Sequence, residues 1–310
     1  MSSQLSSDIS GPNQAVATGL PPRHKIIVAI DYGTTFSGII YGLSTTKNSD
    51  ELKIVPSYSD HETEMKKVPS RIAYARESTS LRSDQCGLDV GPKQTSCSWT
   101  KLLLDKNSVF GEDADIISKI FIDEGMMHLP SHRNCNGVCE DCLHSLYVTF
   151  TLYAERTLGT DAFKMSPIDC WINLPAIWSD EAKHAILNAA KKAGFATNSM
   201  DQVHTIAEPE AATIATLKEL AAPGTLNAVQ RGDNVLICDC GGGTVDITTY
   251  TVTSVALKLT FEELCIGTGA KCGSTYIDRH LHALLSDRFG NAFDSIPYSR
   301  KGPGSILMNN

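Results

Sequence analysis

The sequence contains no stretch of about eighteen consecutive apolar residues, the length a helix needs to cross a bilayer, so a membrane partner is not expected. It also lacks an excess of positive charge. Lys and Arg total 27 against 35 Asp and Glu, a formal charge of -8. Phosphate neutralisation by Lys and Arg dominates nucleic-acid binding, so no nucleic-acid partner is expected either. The segment from Met1 to roughly Arg23 has no apolar run of signal-peptide length, is rich in Ser, Gly and Pro, and reads as a disordered tail. With neither signal nor span in view, the expected location is cytoplasmic, and ten cysteines read as reduced thiols rather than a disulfide framework. What is present in 310 residues, 42% of them hydrophobic and 20% charged, suffices for one large or two modest cores.

A strand, loop and strand device occurs twice. The β-branched run Lys25-Ile-Ile-Val-Ala-Ile30 leads into Asp31-Tyr-Gly-Thr-Thr35, and Phe36 to Gly42 resumes an extended pattern. Much later Asn234-Val-Leu-Ile-Cys238 leads into Asp239-Cys-Gly-Gly-Gly-Thr244, and Val245 to Val252 resumes strand character. This duplication predicts two similar lobes. Cys238 and Cys240, inside the apolar strand pattern, are expected to be small buried hydrophobes. Between the two devices, Asp141 to Leu158 reads as a helix and Asp169 to Leu174 as a core strand stopped by Pro175. A further helix has Ser179 as its cap and Gly194 in a left-handed terminal position. Pro209 opens another that runs to about Leu220 and is broken by Pro223-Gly224. Ser274 to Phe289 is the last helix, and the segment from Tyr298 to Asn310 shows no strong core pattern. The alternation predicts an α/β protein. Its expected organisation is a tail over 1–24, a first lobe over 25–230 and a partial second lobe over 231–310.

An Asp delivered by a strand into a Gly- and Thr-rich loop has a physical use. Backbone N–H groups approach phosphate oxygens closely where side chains are small, and hydroxyls add donors. A single Asp-x-Gly-Thr-Thr is equally a plain turn, but two on similar strands favour the phosphate reading. Asp31 and Asp239 would then face a polyphosphate, which they repel unless a divalent cation lies between; Mg2+ touches one or two carboxylates and keeps several waters. The pair therefore predicts Mg2+-nucleotide rather than free nucleotide.

The same residues resemble a known family. Ile30-Asp-Tyr-Gly-Thr-Thr-Phe-Ser37 is similar to the first phosphate motif of the heat-shock protein 70 family, and Asp239-Cys-Gly-Gly-Gly-Thr-Val-Asp246 to its second. Leu174-Pro-Ala-Ile-Trp-Ser-Asp-Glu-Ala182, Ile206-Ala-Glu-Pro-Glu-Ala-Ala212 and Ser98-Trp-Thr-Lys-Leu-Leu-Leu-Asp105 resemble its strand end and following helix, its connecting motif and its active-site lysine segment. The resemblance covers roughly Lys25 to Phe289. It implies a ribonuclease-H-like, actin-type ATPase fold with duplicated lobes, the second incomplete, and ATP with Mg2+ as cofactors. Position by position, it implies that Gly33, Thr34 and Thr35 contact the β- and γ-phosphates from one lobe, and Gly241, Gly242, Gly243 and Thr244 from the other. Asp31 and Asp239 would position Mg2+ through its waters, Lys101 would reach the γ-phosphate, and Glu208 with Asp246 would orient the attacking water or the metal shell. Gly273 is the candidate for a glycine-rich turn that closes over the nucleotide. Client and co-chaperone proteins are the further partners implied. The family's adenine-sandwiching helices and later adenosine motif lie beyond the last residue here, which leaves either a piece of a longer protein or a shortened product with weak nucleotide binding.

Each residue has a plainer reading. Lys101 could be a solvated surface lysine, and Glu208 could simply favour a helix N-terminus. Gly267-Thr-Gly-Ala-Lys-Cys-Gly-Ser-Thr275 fits neither standard nucleotide-loop spacing. Cys135, Cys139 and Cys142, flanked by His132 and His144, have a spacing able to bind zinc or an iron–sulfur cluster, with free thiols the default. For the whole chain the leading expectation is an ATP-binding, ATP-hydrolysing chaperone domain. The alternatives are a sugar-type kinase of the same superfold, for which no substrate-side Asp base stands out, and an inactive binding module.

Overall fold

Alternation of side chains begins the architecture. In β1 (Ile26–Tyr32), Ile26, Val28, Ile30 and Tyr32 are buried while the residues between them are half-buried, as the two-residue period of a strand dictates. The computed structural model that shows this describes residues 24–58, 64–105, 127–221, 228–255 and 259–309. The expected tail, His24 apart, and the Pro223-Gly224 break lie outside these residues. After Gly33 to Thr35 the chain turns back as β2 (Phe36–Leu43), antiparallel to β1 with Tyr32 opposite Ser37. Short strands follow: β3 (Lys53–Ile54), β4 (Ser57–Tyr58), β5 (Glu64–Met65), β6 (Val68–Pro69), β7 (Arg71–Ala73), β8 (Gln85–Cys86) and β9 (Cys97–Ser98). Two longer strands, β10 (Ile168–Leu174) and β11 (Gln202–Ala207), run parallel to β1. The first sheet has the order β11-β10-β1-β2-β3, with β6 also paired to β2.

The helix Cys135–Leu158 covers this sheet. It starts six residues before the expected Asp141, because the Asn134 side chain accepts the Gly137 N–H at 2.9 Å and supplies a cap in front of the cysteines. Val138, Cys142, Leu146 and Phe150 recur at helical spacing on its buried face, and Phe150 packs edge-on to Tyr41 with ring centroids 5.7 Å apart. The helix Asp180–Ala190 is capped as expected, Ser179 Oγ accepting the Ala182 N–H at 3.3 Å. Its continuation through Lys191–Phe195 ends at Gly194, whose φ of 123° suits glycine, and a Cβ there would lie 2.5 Å from the Tyr147 ring.

The helix Glu208–Leu220 opens with Pro209 and carries the chain to a second sheet, β12 (Asn234–Cys240), β13 (Val245–Ser254) and β14 (Thr260–Ala270), antiparallel throughout. Leu217 of that helix joins Val229 and Val252 in a small core of its own. Among the described residues only one face of this sheet is covered. Val235, Ile237 and Asp239 share the covered face with Asp246, Thr248 and Tyr250, while Leu236, Cys238 and Cys240 face outward. The expectation that Cys238 and Cys240 are buried is therefore wrong. An apolar run marks a strand, and which of its two faces is covered depends on packing partners distant in sequence.

The helix Thr275–Phe289 follows, and then short helical turns. The segment from Tyr298 onward, without a core pattern in sequence, packs nevertheless. Arg71 Nη1 donates to the Gly304 carbonyl at 3.4 Å, and Met308 lies against the cluster of Trp99, Leu102, Leu103 and Met127. Among the described residues no helix is long and apolar enough to cross a membrane.

Candidate functional site

The two Gly- and Thr-rich loops meet. A Cβ placed on Gly242 would lie 2.5 Å from Thr35 Oγ1, and one on Gly243 would lie 2.5 Å from Thr34 Oγ1 and 2.6 Å from Leu102 Cδ2. Glycine is what permits this approach: the bare backbone of one loop sits where the hydroxyls of the other need room. Around the junction is a cavity of about 350 Å³ that brings together Asp31, Gly33, Thr34, Thr35, Lys101, Glu208, Asp239 and the loop Gly241 to Thr244.

Asp31, the penultimate residue of β1, lines this cavity. Its Oδ1 accepts from Asn173 Nδ2 at 2.9 Å and its Oδ2 from Lys67 Nζ at 2.5 Å. Burial pushes this carboxyl up, but the hydrogen bonds of Lys67 and Asn173 and the positive charges of Lys67 and Lys101 outweigh it and hold the group below its ordinary range. Lys101 sits in the tight turn Thr100–Leu103 that follows Trp99, the one non-glycine with positive φ (62°) among the described residues. Its ammonium donates to Glu208 Oε1 at 2.8 Å and lies 5.4 Å from the centre of the Trp178 ring. With side-chain exposures of 5% and 14%, the Lys101–Glu208 pair is not a solvated surface contact.

Asp246 and Gly273 stand behind the cavity rather than on its lining. Asp246 pairs in register with Asp239 across β12 and β13 and is buried, and its Oδ1 has no hydrogen-bond partner among the described residues. Burial pushes its carboxyl up to about 6; the charges of Glu208 and Asp239 act in the same direction, against a hydrogen bond with Thr244 and the charge of Lys101. An aspartate that ordinarily titrates near 3.8 but keeps its proton to about 6 when folded binds more protons in the folded than in the unfolded state between those values. Stability therefore falls as pH rises through that window and stays lower above it. Asp246→Asn is expected to raise the thermal midpoint of the ligand-free chain by several degrees at pH 7.5 and leave it unchanged at pH 4. Equal separations at both pH values would contradict this account.

Gly273 does not close over the cavity; it buttresses the second loop from behind. Its N–H donates to the Gly243 carbonyl at 3.2 Å, and the N–H groups of Ser274 and Thr275 donate to the carbonyls of Gly241 and Gly242 at 3.1 and 2.9 Å. These bonds hold the loop carbonyls on the far side from the cavity.

Lys67, Asn173, Trp178 and Lys271 also line the cavity, and the sequence reading did not single them out. Asn173 had a signal. It is near the C-terminal end of β10, parallel to β1, and the C-terminal ends of neighbouring parallel strands are where ligands gather in α/β folds. Lys67 had none, since its place depends on β6 pairing with β2. Lys271 Nζ donates to the Asp105 carbonyl at 3.0 Å and ties the end of β14 to the Lys101 segment.

Cys135, Cys139 and Cys142 do not converge on one point. Cys139 and Cys142 are in the first core, where burial pushes the Cys139 thiol up to about 11, and half-exposed Cys135 directs its Sγ to the Leu103 carbonyl at 3.7 Å. Among the described residues no group of three His, Cys, Asp or Glu side chains is placed to hold a metal ion.

No family model matches the sequence. Individual proteins do. The chain is 25% identical over 328 aligned positions to heat shock 70 kDa protein 12A of Mus musculus, a match that covers 86% of this chain and 46% of that protein. The human protein of the same name is 24% identical over 327 positions, with the same coverage. The chaperone protein HscA homolog of Rickettsia rickettsii (strain Sheila Smith) is 24% identical over 302 positions, 96% of this chain and 44% of the relative. These distant homologues support the chain as a divergent member of the heat-shock protein 70 family. The chain spans less than half the length of these curated relatives. Cys238 and Cys240 flank Asp239 and lie on the outward face of β12.

Proposed function

We propose that the chain is an ATP-binding and ATP-hydrolysing domain of a heat-shock protein 70-like chaperone, with the two sheets as the duplicated lobes of an actin-type fold. The observation that carries this reading is the meeting of Thr34 and Thr35 with Gly242 and Gly243 across one cavity. Backbone N–H groups of two glycine loops and two threonine hydroxyls form a cradle for phosphate oxygens. Lys67, Lys101 and Lys271 supply positive charge at its wall, and Asp31 and Asp239 lie at its floor.

The residues present fit Mg2+. Asp31 and Asp239 match the one or two carboxylates that ion takes while keeping its waters, and the unpartnered Oδ1 of Asp246 marks a buried polar position still in need of one. Bound Mg2+ would neutralise phosphate charge beside these carboxylates. Asn173 fixes the orientation of the Asp31 carboxylate. Lys101, held by Glu208 and the face of Trp178, would reach a terminal phosphate in the cavity, and Glu208 on the lining, with Asp246 behind it, would orient the attacking water or the metal shell. Positioning and charge neutralisation of this kind supply most phosphoryl-transfer catalysis. Client and co-chaperone proteins are the partners this reading brings with it.

Calorimetric titration of ATP into the folded chain, with Mg2+ and with a chelator, tests the reading. Saturable heat that depends on Mg2+ is expected. A folded sample that gives no heat with Mg2+ present would remove the nucleotide site.

A further inference from the structure

The cysteines of this chain divide into two populations. Cys97, Cys139, Cys142 and Cys170 are buried, and Cys86 and Cys135 are half-buried beside the first core. Cys238, Cys240, Cys265 and Cys272 are exposed and belong to the second sheet or the turn after it. Within this exposed group Cys238 and Cys240 stand apart: two residues apart on one strand, they point to the same uncovered face, with their sulfurs 3.7 Å from each other. Between them, pointing to the opposite face, is Asp239.

We propose that Cys238 and Cys240 are an oxidation-sensitive dithiol that closes into a disulfide across Asp239 when hydrogen peroxide reaches it. In the first step one sulfur attacks a peroxide oxygen; the O–O bond breaks, an S–O bond forms, and water leaves with the thiol proton. In the second step the neighbouring thiol attacks the resulting sulfenic acid; the S–S bond forms, the S–O bond breaks, and a second water leaves. Two thiols and one peroxide give one disulfide and two waters, the two electrons passing from sulfur to oxygen. An exposed thiol with a resolving thiol beside it is the arrangement that diverts oxidation into a reversible product, and a 3.7 Å separation makes the second step intramolecular.

The product cannot leave the strand as it is. In extended backbone the Cα atoms of residues i and i+2 are about 6.5 Å apart, at the wide end of the span a disulfide bridges. Closing the ring therefore draws the strand in at Asp239 and turns that carboxylate away from its register with Asp246. The strain makes the bond easy to reduce. This last consequence rests on the ATP reading of the cavity; the disulfide does not.

The test treats the 310-residue chain with equimolar hydrogen peroxide and maps cysteine peptides by mass spectrometry before and after dithiothreitol. The expected result is one peptide, carrying both Cys238 and Cys240, lighter by two hydrogens and restored by the reductant, with no such change in C238S. Independent oxidation of each sulfur to oxygenated acids, or pairing with Cys265, Cys272 or another chain, overturns the proposal. Titration of Mg2+-ATP into reduced and oxidised protein then reads the coupling. Affinity is expected to fall about tenfold or more on oxidation, the scale of losing support for a metal-positioning group, and to remain unchanged in peroxide-treated C238S. Equal affinity in both states of the native chain overturns the coupling. Binding in neither state counts against the ATP reading, and the mass result alone then decides the dithiol.

Discussion

Lys101→Met is expected to lower ATP turnover about 100-fold or more, the cost of removing one positioned charge from a phosphoryl-transfer site. The same change leaves Glu208 without its 2.8 Å partner in a setting where neither side chain is solvated. Removing one member of a buried ion pair costs about 3–5 kcal/mol, much of it the unpaired charge left behind. Loss of activity in the single variant therefore has two explanations, and Lys101→Met with Glu208→Gln separates them. Urea unfolding of the double variant is expected to recover most of the lost stability, while steady-state phosphate release stays low. Turnover that returns with stability would make the lysine a structural residue only.

Gly273→Ala is expected to damage the protein far more than its distance from the cavity lining suggests. The added methyl would fall 2.5 Å from the Gly241 carbonyl oxygen and 2.6 Å from the carbonyl of Gly242. Those are backbone atoms, already fixed by the N–H groups of Ser274 and Thr275, and they have no rotamer to yield with. A loss of about 2–4 kcal/mol in chemical unfolding is expected, in the range of forced overpacking and strain, together with loss of measurable nucleotide binding. Gly242→Ala provides the contrast, because its methyl meets the Thr35 side chain of the opposite loop rather than hydrogen-bonded backbone, and the two loops can separate to admit it. That variant is expected to keep most of its stability and still lose affinity, the loops having been pushed apart. Equal stability of Gly273→Ala and the native chain would show that the buttress is not needed.

The two loops of the candidate site were legible in the sequence for a local reason. Asp31 and Asp239 are each followed within a few residues by the glycines and threonines that shape the turn, so strand, loop and carboxylate announce themselves together. The helix after Ser179 was equally readable, because its cap and its terminal Gly194 are local signals. What escaped depends on pairing between distant segments. Lys67 reaches Asp31 only because β6 docks on β2. Cys238 and Cys240 face outward only because one side of the second sheet is covered. Asn173 is intermediate, visible once β10 is placed beside β1. The segment after Tyr298 was opaque because contacts that hold it reach residues distant in sequence: the Gly304 carbonyl accepts from Arg71, and Met308 lies against the cluster of Trp99, Leu102, Leu103 and Met127.

The thirteen-residue helix Glu208–Leu220 has its first residue clasped by Lys101 and its far turn embedded in the second sheet through Leu217. A helix of that length is a rod of about 20 Å, so a tilt of a few degrees at its head sweeps its far end by about 1–2 Å. An anion that drew the Lys101 ammonium away would loosen one clasp on a rod whose head continues directly from β11 and whose far end is fastened to the second sheet.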